Sequence, residues 1–379
     1  MKRLVILGST GSIGQQALDV VRRLPGELEV LGLAAGRNVD LLTRQIAEHH
    51  PRYFAAEGPV APDTVGGAVR LSLNELAGLP DADLVLVATV GSVGLAPTLA
   101  AIHAGTTIAL ANKEVLVVAG EVVAEEARRE GVPLLPVDSE HNALWQCLEG
   151  EAPLGEWSPE SKVARLVLTA SGGAFRDRPL DSLAGVTPAE ALAHPNWQMG
   201  PKVTVDSATL LNKGFEVIEA RWLFGLPYDR IDVVMHRQSV VHSLVEFADG
   251  SLKAQLGPPD MRLPIQYALT YPRRRPSPVA RLDLAALGNL TFGPLDEARY
   301  PCFRLARSAA EAGGTYPAAL SGADESAVDL FLGGAIRFPD ISRLIEQVLA
   351  EHRSTANPAL GDCVAASDWS AARARELAR

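Results

Sequence analysis

Asp138 and Glu140 stand one residue apart after the apolar run Leu134-Leu135-Pro136-Val137, and they read as oxygen ligands for a hard divalent cation. With 133–137 as a buried strand, residues i and i+2 project from one face with backbones about 6.7 Å apart, so both carboxylates can converge on one ion. The carboxyl end of a parallel strand is also where open sheets hold ligands. Mg2+ or Mn2+ takes further oxygens, and Glu216 is the best candidate for a third carboxylate. The competing reading of Asp138 and Glu140 is a polar loop edge.

Glu216 ends the segment 206–216, Asp-Ser-Ala-Thr-Leu-Leu-Asn-Lys-Gly-Phe-Glu, which is expected to open on N-cap residues and continue as a helix through Glu219 and Trp222. Asn212 and Lys213 lie four and three residues before Glu216, so one helix face carries an amide, an ammonium and a carboxylate. That face can bind a phosphate through Ser207, Asn212 and Lys213 while Glu216 holds a metal. It can equally be an intrahelical Lys213–Glu216 ion pair, worth about 0.2 to 0.5 kcal/mol on an exposed helix. The chain has six lysines against twenty-nine arginines, and two of the six are Lys113 and Lys213, each after an asparagine. Lys113, flanked by Asn112 and Glu114 after the strand 107–111, would emerge beside a bound nicotinamide and polarise a substrate oxygen, or else be a surface lysine.

Ser171-Gly172-Gly173 follows the apolar strand 163–170 and offers a hinge with backbone donors for phosphate. From there to Pro201 the chain has lid character, with a short helix opening at Thr187-Pro188 and stopped by Pro195. Trp197 either closes over substrate or sits in a core. His194 and His242 either move protons and orient substrate or are buried, hydrogen-bonded rings.

These groups need a scaffold, and the first residues supply it. The strand 2–7 runs into Gly8-Ser9-Thr10-Gly11-Ser12-Ile13-Gly14 and then a helix, an anion cradle for a pyrophosphate. After the second strand, 29–33, the chain reads Ala34-Ala35-Gly36-Arg37-Asn38; no acid stands there to repel a 2'-phosphate and Arg37 can grip one, so NADP(H) is favoured over NAD(H). Strands at 84–88, 107–111 and 133–137 alternate with helices at 97–104 and 120–129, which predicts a doubly wound parallel sheet. A second domain is expected from about Asp138, with a hairpin turning at Asp249-Gly250. The Pro- and Arg-rich stretch from Tyr271 reads as the start of a linker with solvated arginines, and the pattern is helical beyond Glu297.

The 379 residues exceed what one core usually serves, and 47% are hydrophobic. A net charge of −10 argues against nucleic acid, and no apolar run approaches the eighteen or so residues that span a bilayer. The N-terminus enters its strand without a signal-peptide pattern, so a cytoplasmic location is expected. Cys147, Cys302 and Cys363 form neither a disulfide framework nor a zinc ribbon and are expected to be reduced packing residues.

The glycine turn, Ala-Asn-Lys-Glu at 111–114, Val-Asp-Ser-Glu-His at 137–141, Ala-Ser-Gly-Gly at 170–173, His-Pro-Asn-Trp at 194–197 and Val-Asp-Ser-Ala-Thr at 205–209, followed by Asn-Lys-Gly, resemble the 1-deoxy-D-xylulose 5-phosphate reductoisomerases over nearly the whole chain. The resemblance implies an NADPH-dependent enzyme of non-mevalonate isoprenoid synthesis that forms 2-C-methyl-D-erythritol 4-phosphate. It makes Asp138, Glu140 and Glu216 the ligands of Mg2+ or Mn2+, with Co2+ a further option. Ser171, Ser207, Asn212 and Lys213 then contact the phosphate, Lys113 and Ser139 meet substrate oxygens, and His194 closes with the lid under Trp197. His242 joins the substrate site, and Met199 and Met261 flank the pocket. Gly8, Thr10, Gly11, Ser12, Ile13, Gly36, Arg37 and Asn38, with Asn112, Lys113 and Glu114 at the nicotinamide end, hold NADPH. Lys113, Glu140, His194 and Glu216 carry the catalytic roles.

The implied architecture is α/β: a Rossmann-like domain over 1–138, a central α/β catalytic domain over 139–270 with lid 171–201, a linker over 271–296 and a helical domain over 297–379, in a homodimer. The chain departs from the family pattern at Arg237, at Phe215 and at Gly322-Ala323-Asp324-Glu325, which leaves open the backbone near His242 and the C-terminal helix packing. Two other readings stand beside it. One is an NADP-dependent oxidoreductase of homoserine or semialdehyde type; the other is a non-catalytic NADPH-binding sensor.

Overall fold

The structure is a computed structural model that describes residues 1–61, 65–151, 162–197 and 199–379. It divides into two compact units, one of residues 1–115, 123–145 and 260–280, the other of 116–122, 146–259 and 281–379.

The first unit is built on seven parallel strands: β1 (Lys2–Leu7), β2 (Leu28–Ala35), β3 (Tyr53–Ala56), β4 (Val69–Arg70), β5 (Leu84–Val87), β6 (Thr107–Leu110) and β7 (Leu134–Pro136). Their order is β4-β3-β2-β1-β5-β6-β7, so the chain winds outward from β1 in both directions. The central strands are covered on both faces, so β5 and most of β6 are buried apolar runs and Leu4 through Leu7 of β1 are fully buried. The helix Arg262–Thr270 returns to this unit and packs against the helix Ser12–Arg23. The arginines after it are not simply solvated, as the sequence suggests: Arg273 and Arg275 pair with Glu27, and Arg274 lies over the Tyr267 ring.

The second unit contains β8 (Val163–Ala170), β9 (Ile231–Met235), β10 (Val241–Phe247) and β11 (Leu252–Leu256), in the order β11-β10-β8-β9. The hairpin between β10 and β11 turns at Asp249-Gly250, as its sequence predicts. Helices Pro201–Thr209, Leu211–Phe224, Pro301–Ala312, Tyr316–Leu332, Phe338–Glu351 and Leu360–Leu377 share one apolar core with Phe215, Phe331 and Ile345 at its centre. Asp324 is fully buried on the helix Tyr316–Leu332, and Lys202 Nζ pairs with it at 2.6 Å and with Asp206 at 2.7 Å.

Two local expectations change. The helix Ser139–Leu148 begins directly after Asp138, so Asp138 and Glu140 sit at a helix start and not along a strand face. The physical cause is capping: the Glu140 N–H donates to Asp138 Oδ1, and anionic side chains favour a helix N-terminus. The stretch expected as one helix from Asp206 is two, because Leu210 turns left-handed at φ +58° between them; Asp206 is therefore the sixth residue of the helix Pro201–Thr209 and no cap.

Candidate active site

At the carboxyl edge of the seven-stranded sheet the glycine turn takes the form that a pyrophosphate cradle needs. Gly11 caps the helix Ser12–Arg23, and a side chain at Gly14 would place its Cβ 2.3 Å from the Gly8 carbonyl oxygen. Thr10 and Ile13 are half-buried and Gly11 and Ser12 exposed, whereas Ser9 is turned inward onto Gln45. Gly36 follows β2, and Arg37 is exposed beside it. Asn38 Oδ1 accepts from the Leu41 N–H and so caps the next helix. The reading of the loop as free of acid misses a tertiary neighbour: the Glu57 carboxylate, from the end of β3, lies 3.4 Å from where a Cβ on Gly36 would stand.

Further along the same edge, Asn112 Nδ2 donates to Thr89 Oγ1 and to the Gly91 carbonyl, which holds the turn that carries Lys113. Glu114 opens the following helix, half-buried. Lys113 is buried, and its Nζ donates to Asp138 Oδ2 at 2.9 Å. Burial alone would raise the Asp138 pKa, but the Lys113 ammonium, helped by His141 and Glu140, outweighs it and holds the carboxyl well below the usual range. His141 is fully buried with Nδ1 3.6 Å from Asp138 Oδ1. Reading 139–148 as a helix would have exposed that i,i+3 relation in the sequence. Ser139 Oγ donates to Glu140, and Met261 stands half-buried before the helix Arg262–Thr270.

In the second unit, Ser171, His194, Asn196 and Trp197 form one network. The Asn196 and Trp197 N–H groups both donate to His194 Nδ1, at 3.1 and 2.9 Å. Nδ1 is therefore the acceptor and the ring proton belongs on Nε2, which faces Ser171 Oγ at 3.1 Å. Ser171 Oγ also accepts from the Gly173 N–H, so its own O–H remains to donate to an anion. Burial, with the Arg176 guanidinium nearby, pushes the His194 pKa down to about 4. Trp197 is half-buried with its ring centroid 5.9 Å from that of the buried His242. Met199 is half-buried, and Gln198 of the expected lid lies outside the described residues.

Ser207 is buried near the end of the helix Pro201–Thr209. Asn212 Nδ2 and Lys213 Nζ both donate to Glu216, so the intrahelical pair does form, but inside the protein: Lys213 is 4% exposed and Glu216 1%. Burying such a pair costs more than its attraction returns unless it is fully hydrogen-bonded, which marks this helix face as more than solvated surface. At the departure near Arg237 the backbone is tied down, with the His236 N–H on the Ala170 carbonyl and the Val240 and Val241 N–H groups on His236 Nε2.

A glycine-turn dinucleotide cradle on a doubly wound parallel sheet, with a lysine-paired carboxylate at the same edge, defines a nicotinamide-dependent oxidoreductase. Family models name it further. One described as 1-deoxy-D-xylulose 5-phosphate reductoisomerase matches residues 4–120, its C-terminal domain model 134–224, and the DXP reductoisomerase C-terminal domain 256–374. The reductoisomerase of Geobacillus kaustophilus is 53% identical over 372 residues, 96% of each chain, and that of Gloeobacter violaceus is 50% identical over 100% of this chain and 97% of its own. Among solved structures, the Zymomonas mobilis reductoisomerase in complex with NADPH has a TM-score of 0.90 at 37% identity, covering 100% of this chain and 99% of its own. A DOX-P reductoisomerase complex with NADPH, fosmidomycin and magnesium matches at 0.90 and 38%, covering 100% and 98%. The chain belongs to the 1-deoxy-D-xylulose 5-phosphate reductoisomerase family. This sets aside the homoserine-type oxidoreductase and the non-catalytic sensor.

Proposed function

We propose that the residues assembled above carry out the family's reaction: NADPH- and Mg2+-dependent rearrangement and reduction of 1-deoxy-D-xylulose 5-phosphate to 2-C-methyl-D-erythritol 4-phosphate. The observation that carries this reading is the buried Lys113–Asp138 pair at the sheet edge that also bears the glycine turn. A carboxylate kept ionised inside the protein is a ready ligand for a cation, and its lysine would meet a substrate oxygen.

In this reading residues 1–138 bind NADPH and 139–270 carry the catalytic groups, with 171–201 as lid, 271–296 as linker and 297–379 as a supporting helical domain. Gly8, Thr10, Gly11, Ser12 and Ile13 hold the pyrophosphate, Gly36, Arg37 and Asn38 the 2'-phosphate end, and Asn112, Lys113 and Glu114 the nicotinamide end. Asp138, Glu140 and Glu216 would hold the divalent ion, whose carboxylate donor set suits Mg2+ and equally Mn2+ or Co2+. When bound, the ion supplies Lewis acidity toward the sugar's oxygens and NADPH supplies the hydride.

The chain's own groups do the rest. Ser171 donates a hydrogen bond from its hydroxyl to the phosphate, with Ser207, Asn212 and Lys213 as further contacts, so that binding energy from the phosphate orients the reacting carbons. Lys113 and Ser139 position substrate oxygens, and His242, Met199 and Met261 shape the pocket. His194 links Ser171 to the backbone at Trp197, so anion binding at Ser171 and placement of the indole are coupled. Resemblance to the family also supports a homodimer in the cytoplasm; among the described residues no helix is long and apolar enough to cross a membrane.

The test is Asp138→Asn, assayed by NADPH oxidation with 1-deoxy-D-xylulose 5-phosphate and Mg2+. Turnover should vanish while NADPH still binds. A variant that keeps near wild-type turnover in EDTA would falsify the metal assignment.

A further inference from the structure

We infer that Tyr300 is a positioning residue for substrate phosphate: it sets the Gly172–Gly173 peptide plane and, through that plane, the hydroxyl of Ser171. Tyr300 precedes the helix Pro301–Ala312 and is 5% exposed, and its phenol donates to the Gly172 carbonyl oxygen at 3.1 Å. That carbonyl belongs to the same planar unit as the Gly173 N–H. The N–H in turn donates to Ser171 Oγ at 3.2 Å. Holding the oxygen of the peptide fixes the direction of its hydrogen, because a trans peptide cannot turn one without the other.

The backbone of the turn gives that plane little stiffness of its own. Gly172 and Gly173 have φ of +88° and +68°, and glycine resists rotation about its backbone less than any other residue. Glycine is nonetheless required here, since a Cβ on Gly173 would stand 2.4 Å from the Ser207 carbonyl oxygen. The close approach that brings Ser171 and Ser207 together thus leaves a soft turn, and Tyr300 stiffens it from outside. Arg299 extends the brace by donating to the carbonyls of Phe175 and Arg178. Arg176 Nη1 donates to the Ser171 carbonyl at 3.1 Å, so the two consecutive peptides that follow the Ser171 side chain are each held.

The consequence concerns proton direction. Ser171 Oγ receives one N–H from Gly173 and faces His194 Nε2; with both acceptor positions filled, its O–H points outward to an anion. Removing the phenolic hydroxyl frees the peptide to rotate and lets the Ser171 hydroxyl proton turn onto a neighbour instead. This inference rests on Ser171 being a phosphate contact.

The experiment compares Tyr300→Phe with Ser171→Ala in the enzyme with Mg2+ and NADPH. Tyr300→Phe should raise KM for 1-deoxy-D-xylulose 5-phosphate by about five- to tenfold, the scale of one lost hydrogen bond, with kcat and the NADPH Kd within about twofold of wild type. The His194 ring 15N shifts should move in the same variant without substrate, since His194 meets Ser171 directly. If Ser171→Ala raises KM and Tyr300→Phe changes neither KM nor those shifts, the role of Tyr300 is refuted while the phosphate reading stands. If neither variant changes KM, the phosphate reading of Ser171 fails and this inference with it. A Tyr300→Phe variant that weakens NADPH as much as substrate shows general damage, which also overturns it.

Discussion

Lys113 Nζ donates to Asp138 Oδ2 at 2.9 Å, joining a residue from the end of β6 to one from the end of β7, and both are largely withdrawn from water. The ammonium occupies one oxygen of a carboxylate proposed to bind a divalent ion, so lysine and ion compete electrostatically for it. Lys113→Gln removes a positive charge from beside the cation and should tighten Mn2+ binding several-fold, while kcat falls steeply because the substrate loses its ammonium contact. Mn2+ titration followed by electron paramagnetic resonance measures the first effect and steady-state kinetics the second. Weaker Mn2+ binding in the variant contradicts this account.

Arg37 is exposed after β2, with the Glu57 carboxylate near the neighbouring Gly36. A charge-assisted contact to a 2'-phosphate is worth roughly 1.5 to 3 kcal/mol, so Arg37→Ala should cut the preference for NADPH over NADH by about tenfold or more, mainly in KM. Glu57→Gln removes a like charge and should shift the preference the other way, by less than about threefold because the site is screened. Equal losses for both cofactors in Arg37→Ala would show that the guanidinium does not read the 2'-phosphate.

The Lys213–Glu216 pair is buried, and that decides its energetics. Leaving Glu216 without its ammonium in Lys213→Met should cost about 3 to 5 kcal/mol in urea unfolding, against about 0.2 to 0.5 kcal/mol for an exposed helical pair. The double variant Lys213→Met, Glu216→Leu should recover most of that loss. A single-variant cost below about 1 kcal/mol indicates that water screens the pair.

His194 predicts an acid-sensitive stability. Its pKa in the folded protein is about 4, below the ordinary 6.5, owing to burial and to Arg176. The folded protein therefore prefers the neutral ring. This contribution is fully present above about pH 6.5 and is lost as pH falls toward and through 4. The difference in Tm between wild type and His194→Gln should narrow steadily from pH 7 to pH 4. A difference that stays constant, or widens on acidification, rules out the neutral, Nδ1-accepting ring.

Much of the scaffold was legible from local signals. The β1–glycine turn–helix unit, the alternation of strands and helices, the helix starting at Thr187-Pro188 and the Asp249-Gly250 hairpin depend on residues within a few positions of one another. The Thr187 capping box shows why: Thr187 Oγ1 accepts from the Glu190 N–H, and both partners are visible in four consecutive letters. Candidate site residues, Asp138, Glu140, Ser171 and Lys213 among them, were legible only as types at spacings.

Their surroundings were not legible. Apolar periodicity places a strand before Asp138, but only the cap formed by Asp138 itself turns Ser139 and Glu140 into a helix. Nothing within its own segment announces the left-handed break at Leu210. The contacts that tune the site join residues far apart in the chain: Lys113 with Asp138, Lys202 with Asp324, and Tyr300 with Gly172 across 128 residues. The sequence by itself determined most of the elements, the family and the inventory of reactive groups, because backbone propensity and hydrogen bonding over a few residues suffice for these. Tertiary structure alone decided which groups are buried, which are paired and where their protons point, because those depend on partners that only chain closure brings within hydrogen-bond distance.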